Sequence, residues 1–430
     1  MKAERYLLSL ELFGVRFGLS RMQRLMTALG SPQSRFESIH VLGTNGKSST
    51  ARMIAAILRE HGVRTGAYLS PHITSFAERI EIDGESVSQQ RFGAAIDRTA
   101  RAAGVVERTL DPEDRVTQFE ALTAAAYFEL ARSQVTVGVI EAGLGGRYDA
   151  TSVICSRVQV LTNVGLEHTR WLGPTETHIA QEKLAVVPPQ GTIVAGPLEG
   201  EALDVAEHVA GERGASLLLA GRDFHLRDRG SRMRVETPLA EYDEISLRPL
   251  GAFQRENFAL AVAAAECLHG ALDRKAVREA AATLELAGRL EQVGSEPVLL
   301  LDGAHNPSGM RALAGSLRSA AGDRKPVAVV SILDDKDAAA MLAALQPHCT
   351  SVVFTRSSHE RALSPATLES LWRQVGGSQA TIEPDPTSAL RAATELAGAE
   401  GAVIVTGSIY LLSDLAPSAH EPVMRIAEKH

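Results

Sequence analysis

The chain has 430 residues, 45% of them hydrophobic and 22% charged, with a formal charge of −8. This is the composition of an ordinary globular protein with room for two or three cores, and it argues against nucleic-acid binding through bulk charge, though not against an anionic substrate held by a local nest of N–H groups. Three scattered cysteines (Cys155, Cys267, Cys349) with no CxxC pair argue against disulfides and a cysteine-zinc site, and the absence of a long apolar run or a leader-like N-terminus makes a cytoplasmic enzyme with no membrane partner the expectation.

Short apolar runs alternate with helical patterns along the chain, which is the α/β signature. Strands are predicted over 38–42, 65–69, 135–140, 158–162, 192–195 and 216–219, and helices over 49–61, 89–103, 118–133, 175–187 and 254–268. Between 221 and 250 the pattern alternates (Phe224, Leu226, Met233, Val235, Ile245, Leu247), which predicts small antiparallel strands attached to the first domain. A second series starts near Glu296, with strands over 298–301, 327–332, 352–355 and 403–406 and helices over 308–320, 337–345, 365–375 and 387–396. The segment 287–290 separates the two series and is expected to be the linker, which puts the domains at 1–286 and 287–430.

The sharpest local signal runs from His40 to Thr50: an apolar strand enters Gly43-Thr44-Asn45-Gly46-Lys47-Ser48-Ser49 and leaves as a helix. Glycines let backbone N–H groups converge on phosphate oxygens, the helix start adds its dipole, Lys47 adds a cation, and a hydroxyl can meet Mg²⁺. The spacing, G-x-x-G-K-[ST], is two residues shorter than the usual phosphate loop. The fold class expected is therefore α/β: a P-loop ATPase domain with a mostly parallel sheet, plus a smaller Rossmann-like C-terminal α/β domain. A nucleotide loop alone does not say what is phosphorylated.

Taken together, the remaining motifs narrow this. The loop resembles the G-T-N-G-K loop of the Mur ligases. Ser70-Pro71-His72 with Glu78-Arg79-Ile80, the run from Glu141 through Gly145-Gly146-Arg147 to Asp149-Ala150-Thr151, and Asn163, His168 and Lys183 further on resemble the folylpolyglutamate synthase and dihydrofolate synthase branch. Asp302-Gly303-Ala304-His305-Asn306-Pro307 and Thr406-Gly407-Ser408 fit as well. About 40 residues before the loop cannot make the nucleotide-sugar domain that cell-wall Mur ligases carry there. The departures from the branch pattern are Ser48 for glycine, Glu167 for aspartate, Phe253 for histidine and Ala287 for proline.

Several residues read differently alone and under the resemblance. An apolar strand ending in Glu141 suits a Mg²⁺-binding acid or, alternatively, a carboxylate bonded to its own turn. The resemblance implies Ser70 and His168 as further metal ligands, around two Mg²⁺ ions; imidazole is a soft choice for Mg²⁺, so Mn²⁺ is also expected to serve. Lys183 alone reads as a solvated lysine, whereas the resemblance implies a carbamylated, catalytic one. The resemblance also implies Asn257 and Arg289 at ATP, Arg289 from the linker. Asp302 and His305 follow the first strand of the second domain and are implied to act on ATP and in catalysis, together with Lys47. Arg79, Phe119, Asp149, Ala150 and Ser408 are implied at the substrates, with a K⁺ site also implied.

The activity this implies is an ATP-dependent ligase that adds L-glutamate to dihydropteroate, to folates, or to both, through an acyl phosphate, as a monomer with small-molecule partners only. The alternatives are another Mur-type ligase with a different acid and a P-loop switch without ligase chemistry. The switch predicts an N-K-x-D motif, which Asp334-Asp335-Lys336-Asp337 is not.

Overall fold

The apolar runs flanked by turn residues become strands buried on both faces, as helices on either side of a parallel sheet require. The computed structural model describes residues 2–11, 18–111 and 113–416. One sheet contains β1 (Glu37–Leu42), β2 (Thr65–Tyr68), β3 (Ile80–Ile82), β4 (Glu85–Ser86), β5 (Val137–Glu141), β6 (Val158–Leu161), β7 (Thr192–Ala195) and β8 (Ser216–Leu219). Its order is β4-β3-β2-β5-β1-β6-β7-β8. The strands from β2 to β8 across the sheet run parallel, and β3 and β4 form an antiparallel edge.

That order decides where a ligand can bind. The chain leaves β1 toward β2 on one side, and β5 and β6 later flank β1 on either side. The carboxyl end of β1 is thus a switch point, the crevice where open α/β sheets take ligands, and Gly43 begins there. Tyr68, Phe92, Tyr127 and Ile140 fill the core on one face. Leu42, Leu161, Leu184 and Ile193 fill it on the other.

The alternating segment forms a separate antiparallel sheet of β9 (His225–Arg229), β10 (Arg232–Glu236) and β11 (Glu241–Ile245), with Met233, Val235, Tyr242 and Ile245 buried. The C-terminal series forms a sheet of β12 (Arg289–Ser295), β13 (Val298–Asp302), β14 (Val327–Val330), β15 (Ser351–Phe354), β16 (Ala380–Ile382) and β17 (Ala402–Thr406), in the order β12-β13-β17-β14-β15-β16. All but β12 are parallel.

The chain divides into two compact units, Met1–Leu247 with Glu256–Leu284, and Arg248–Arg255 with Glu285–His430. Two expectations change here. Residues 248–255 group with the second unit, because Phe253 and Leu250 pack on the cluster around Leu290 and the Ala252 N–H donates to Ser316 Oγ at 3.2 Å. Arg289 is not in a linker: it is the first residue of β12, in register with Asp302. The polar sequence Arg-Leu-Glu-Gln-Val-Gly-Ser hides that strand because an antiparallel edge needs little apolar surface. The helix Gly200–Arg213 was also not predicted; its buried face is Ala202, Val205, Ala206 and Ala210, too weak a stripe to read.

Candidate active site

The phosphate loop is held in place by its neighbours as well as by its own glycines. Gly43 has φ +138°, and a Cβ there would lie 1.9 Å from Thr162 Oγ1. Thr162 Oγ1 donates to the Asn45 carbonyl at 2.6 Å. Asn163 grips the same residue twice: its Oδ1 accepts the Asn45 N–H at 3.0 Å and its Nδ2 donates to the Asn45 carbonyl at 3.1 Å. The Thr44 hydroxyl exchanges bonds with Gly165. In the sequence Thr162 is only the end of a predicted strand and Asn163 one residue of a motif; their role as a clamp appears once β6 lies beside β1.

Gly46 caps the helix Lys47–Glu60 at φ +81°, and a Cβ there would lie 2.6 Å from Asn257 Oδ1. Asn257 is therefore packed on the loop, in the first unit. Gly46→Ala combines a left-handed backbone, a cost of about 1–2 kcal/mol, with displacement of the Asn257 amide. It is expected to lower the melting temperature and weaken nucleotide binding together; an unchanged melting curve would remove the Asn257 contact from the account.

Lys47 Nζ bends back to the carbonyls of Gly43 and Thr44, at 3.1 Å each. Beside it, Glu141 ends β5 with only 1% exposure. One carboxylate oxygen accepts the Ser48 hydroxyl at 2.9 Å and the other the Ser70 N–H at 2.8 Å. Ser48 also donates to the Ser70 carbonyl at 3.2 Å. The hydroxyl that departs from the branch pattern thus faces the proposed metal-binding acid.

Lys183 is 2% exposed. Its Nζ donates to the Gly43 carbonyl at 2.9 Å and to Leu144 at 3.3 Å. Burial, with help from the Lys47 charge and against Glu167 and Asp149, pushes its pKa down to about 7. It is therefore no solvated lysine.

A cavity of about 730 Å³ opens beside this cluster, and Ser70, Arg79, Phe119, Asp149, Ala150 and His168 all line it. Phe119 lies against Gly143, where a Cβ would come within 2.4 Å of its ring, and Tyr148 and Trp171 extend the aromatic lining. Arg79 donates to His72 Nδ1 at 2.9 Å, and burial and Arg79 together hold His72 near a pKa of about 4. Asp149 accepts the Gly145 N–H at 2.9 Å on one oxygen and the Thr151 N–H and hydroxyl on the other, so it shapes the wall of the cavity. His168 caps a short helix at φ +52°, with its Nε2 3.9 Å from Glu167.

In the second unit, Asp302 ends β13 buried and accepts the Ala304 N–H at 2.8 Å. Burial raises its pKa to about 6, against the pull of Arg289. His305 Nδ1 bonds the Gly303 carbonyl at 2.9 Å, and Ser408 caps the helix Ile409–Leu415 through the Tyr410 N–H. These groups gather at the carboxyl ends of β13 and β17, where such sheets bind ligands. Lys47 and Lys183 lie in the first unit and Asp302 and His305 in the second.

Residues 41–265 match the Mur ligase middle domain and residues 288–409 the Mur ligase glutamate ligase domain. A dihydrofolate synthase/folylpolyglutamate synthase of Mycobacterium tuberculosis is 36% identical over 81% of this chain and 76% of its own length. A probable bifunctional folylpolyglutamate synthase/dihydropteroate synthase of Haloferax volcanii is 34% identical over 96% of the chain, which spans 50% of that relative. The solved structure of Mycobacterium tuberculosis folylpolyglutamate synthase complexed with ADP superimposes with a TM-score of 0.91 at 32% identity, over 98% of each chain.

Proposed function

The chain belongs to the Mur ligase family, in the branch of the folylpolyglutamate and dihydrofolate synthases, and from that premise we propose that it joins L-glutamate to dihydropteroate and to reduced folates using ATP. One observation carries this reading beyond the family. Ser70 lines the 730 Å³ cavity while its N–H is bonded to Glu141, which also accepts from Ser48 of the loop, and this adjacency supports an acceptor carboxylate in the cavity meeting phosphates at the loop.

The chemistry follows from the weakness of a carboxylate as an acyl donor. An acceptor carboxylate oxygen attacks the γ-phosphorus and ADP leaves. The glutamate amine then attacks the acyl carbon, phosphate leaves with its oxygen, and the amine loses a proton. The loop N–H groups and Lys47 stabilise charge on the transferring phosphoryl group, and the protein's work is positioning and charge neutralisation. Phe119, Tyr148 and Trp171 offer flat surfaces to a heterocycle. In the second unit, Arg289, Asp302, His305 and Ser408 are assigned to ATP and glutamate.

Glu141, joined to Ser48 and to Ser70, is proposed to hold Mg²⁺ with those two residues and with His168, which shares the cavity lining with Ser70. No group of three or more His, Cys, Asp or Glu side chains forms a cage among the described residues. Mg²⁺ suits that pattern, because it takes one or two carboxylates and keeps waters and phosphate oxygens. When bound, it neutralises phosphate charge. Lys183 is proposed to be carbamylated: its neutral amine attacks CO₂, a C–N bond forms, a proton leaves, and a buried cation becomes an anion. A pKa of about 7 leaves a large neutral fraction at neutral pH.

Glu141→Gln keeps the shape but puts an amide against two donors, the Ser48 hydroxyl and the Ser70 N–H. It is expected to shift the Mg²⁺ titration of activity upward by tenfold or more and to cost about 1–3 kcal/mol of stability. A Mg²⁺ midpoint identical to the parent's would take Glu141 out of the metal shell. The function itself is tested by mass spectrometry of products from ATP, glutamate and either dihydropteroate or tetrahydrofolate. One added glutamate per ADP is the expected result, and ADP formation with no amide from either acceptor overturns it.

A further inference from the structure

His40 lies on β1, three residues before Gly43, and is 1% exposed. Nothing in the proposed chemistry uses it. On a strand, alternate side chains share a face. Ser38 and His40 therefore point the same way, and both meet the segment that follows the cavity wall: Ser38 Oγ lies 2.8 Å from Ser156 Oγ, and His40 Nε2 lies 2.9 Å from Thr151 Oγ1.

The donors in this chain of bonds can be ordered. A carboxylate only accepts, so the Thr151 hydroxyl spends its single proton on Asp149 Oδ1, at 2.5 Å. The same hydroxyl must then accept from His40, which fixes the proton on Nε2. Asp149 completes the set by accepting the N–H groups of Thr151, at 3.0 Å, and Gly145, at 2.9 Å. Thr151 is fully buried, and Tyr127 pins its carbonyl at 2.7 Å. Burial also lowers the His40 pKa to about 4, so the ring is neutral at neutral pH.

We infer that His40 is a positioning residue for the acceptor: through Thr151 it directs a hydroxyl proton onto Asp149 and thereby fixes the Gly145–Ala150 wall of the cavity. This rests on the cavity being the acceptor site. Removing the Nε2–H leaves the Thr151 hydroxyl free to turn, and Asp149 loses an enforced donor in a buried place, where bonds to charged groups count most.

The test compares His40→Leu, His40→Gln and His40→Asn. A glutamine amide reaches the position of Nε2, whereas an asparagine amide reaches only that of Nδ1. Leu and Asn are expected to raise the acceptor KM about tenfold with the ATP KM within about twofold. Gln is expected to restore most of the loss. Amide hydrogen exchange at Gly145 and Thr151, both donors to Asp149, should accelerate in Leu and Asn and stay near the parent in Gln. That readout needs no substrate, so it separates failure of this inference from failure of the acceptor assignment. If His40→Leu does not fold, the Gln and Asn pair carries the test. Equal effects of Gln and Asn, unchanged exchange, or an ATP KM that rises as much as the acceptor KM would overturn the inference in favour of simple packing beside the phosphate loop.

Discussion

Lys183→Met is expected to abolish amide formation and, in the same protein, to raise the melting temperature at neutral pH in bicarbonate-free buffer. The two effects have one cause. Lys183 is an ammonium group forced toward neutrality, from an ordinary value of 10.5 down to about 7, by burial and by Lys47. In the unfolded chain it keeps its proton up to its ordinary value. Between pH 7 and 10.5 the unfolded state therefore binds more protons, and stability rises with pH across that window. Below pH 7 both states are protonated and the full penalty applies. At roughly 1.4 kcal/mol per pKa unit, the penalty is on the order of several kcal/mol at pH 7 and vanishes above the ordinary lysine value. Methionine has similar reach and no charge. It gives up two hydrogen bonds, but the Gly43 carbonyl keeps its bond from Lys47, and the bond to Leu144 is long at 3.3 Å. The charge relief outweighs that loss. Thermal melts of parent and variant should be furthest apart near pH 7 and converge toward pH 10. A variant that is less stable than the parent at pH 7 would contradict the buried neutral amine. If activity is lost through the missing carbamate, acetate should restore part of it, because a small carboxylate can occupy the vacated place.

Lys47→Ala is expected to remove ATP-dependent product formation, a loss on the order of several kcal/mol of transition-state stabilisation. Its stability should change little. Among the described residues the ammonium hydrogen-bonds two loop carbonyls, and the loop itself is clamped by Thr162 and Asn163, whose bonds do not involve Lys47. Loss of the Lys47 charge also relieves its repulsion of Lys183, so the Lys183 pKa moves up and the neutral fraction falls. On the proposed carbamylation of Lys183, the variant is expected to be impaired twice, once in phosphate neutralisation and once in carbamate formation. Supplying bicarbonate in excess should recover the second and leave the first. Parent-like turnover with an unchanged melting temperature would take Lys47 out of the phosphate site.

The local order of the site was legible in the chain. A strand, a turn and a helix that follow one another directly from Glu37 to Glu60 need no tertiary information, so the loop and its lysine could be found by spacing. Strand-end acids such as Glu141 and Asp302 could be found the same way, because alternation and apolar runs show where a parallel strand stops. Two domains of α/β type follow from the same runs, and the family motifs followed in order. Ranges differ from the structure by a residue or two at most strand ends, where fraying makes boundaries soft. The segment at β12 and the helix Gly200–Arg213 stayed hidden, because one is a polar edge and the other is built on alanine.

What the sequence could not carry was set by distance through space. Asn45 is gripped by Asn163 across 118 positions, and Lys183 meets the Gly43 carbonyl across 140. No pattern along the chain reports such a pairing, since it depends on β6 folding in beside β1. The protonation states follow the same rule. Lys183, His40, His72 and Asp302 are all displaced from their ordinary values with burial as the largest cause. Burial is a property of the surrounding atoms rather than of the residue: a lysine four residues from a helix's predicted end reads as solvated until the Gly145–Gly146 turn closes over it, and only then does desolvation lower its pKa toward neutrality.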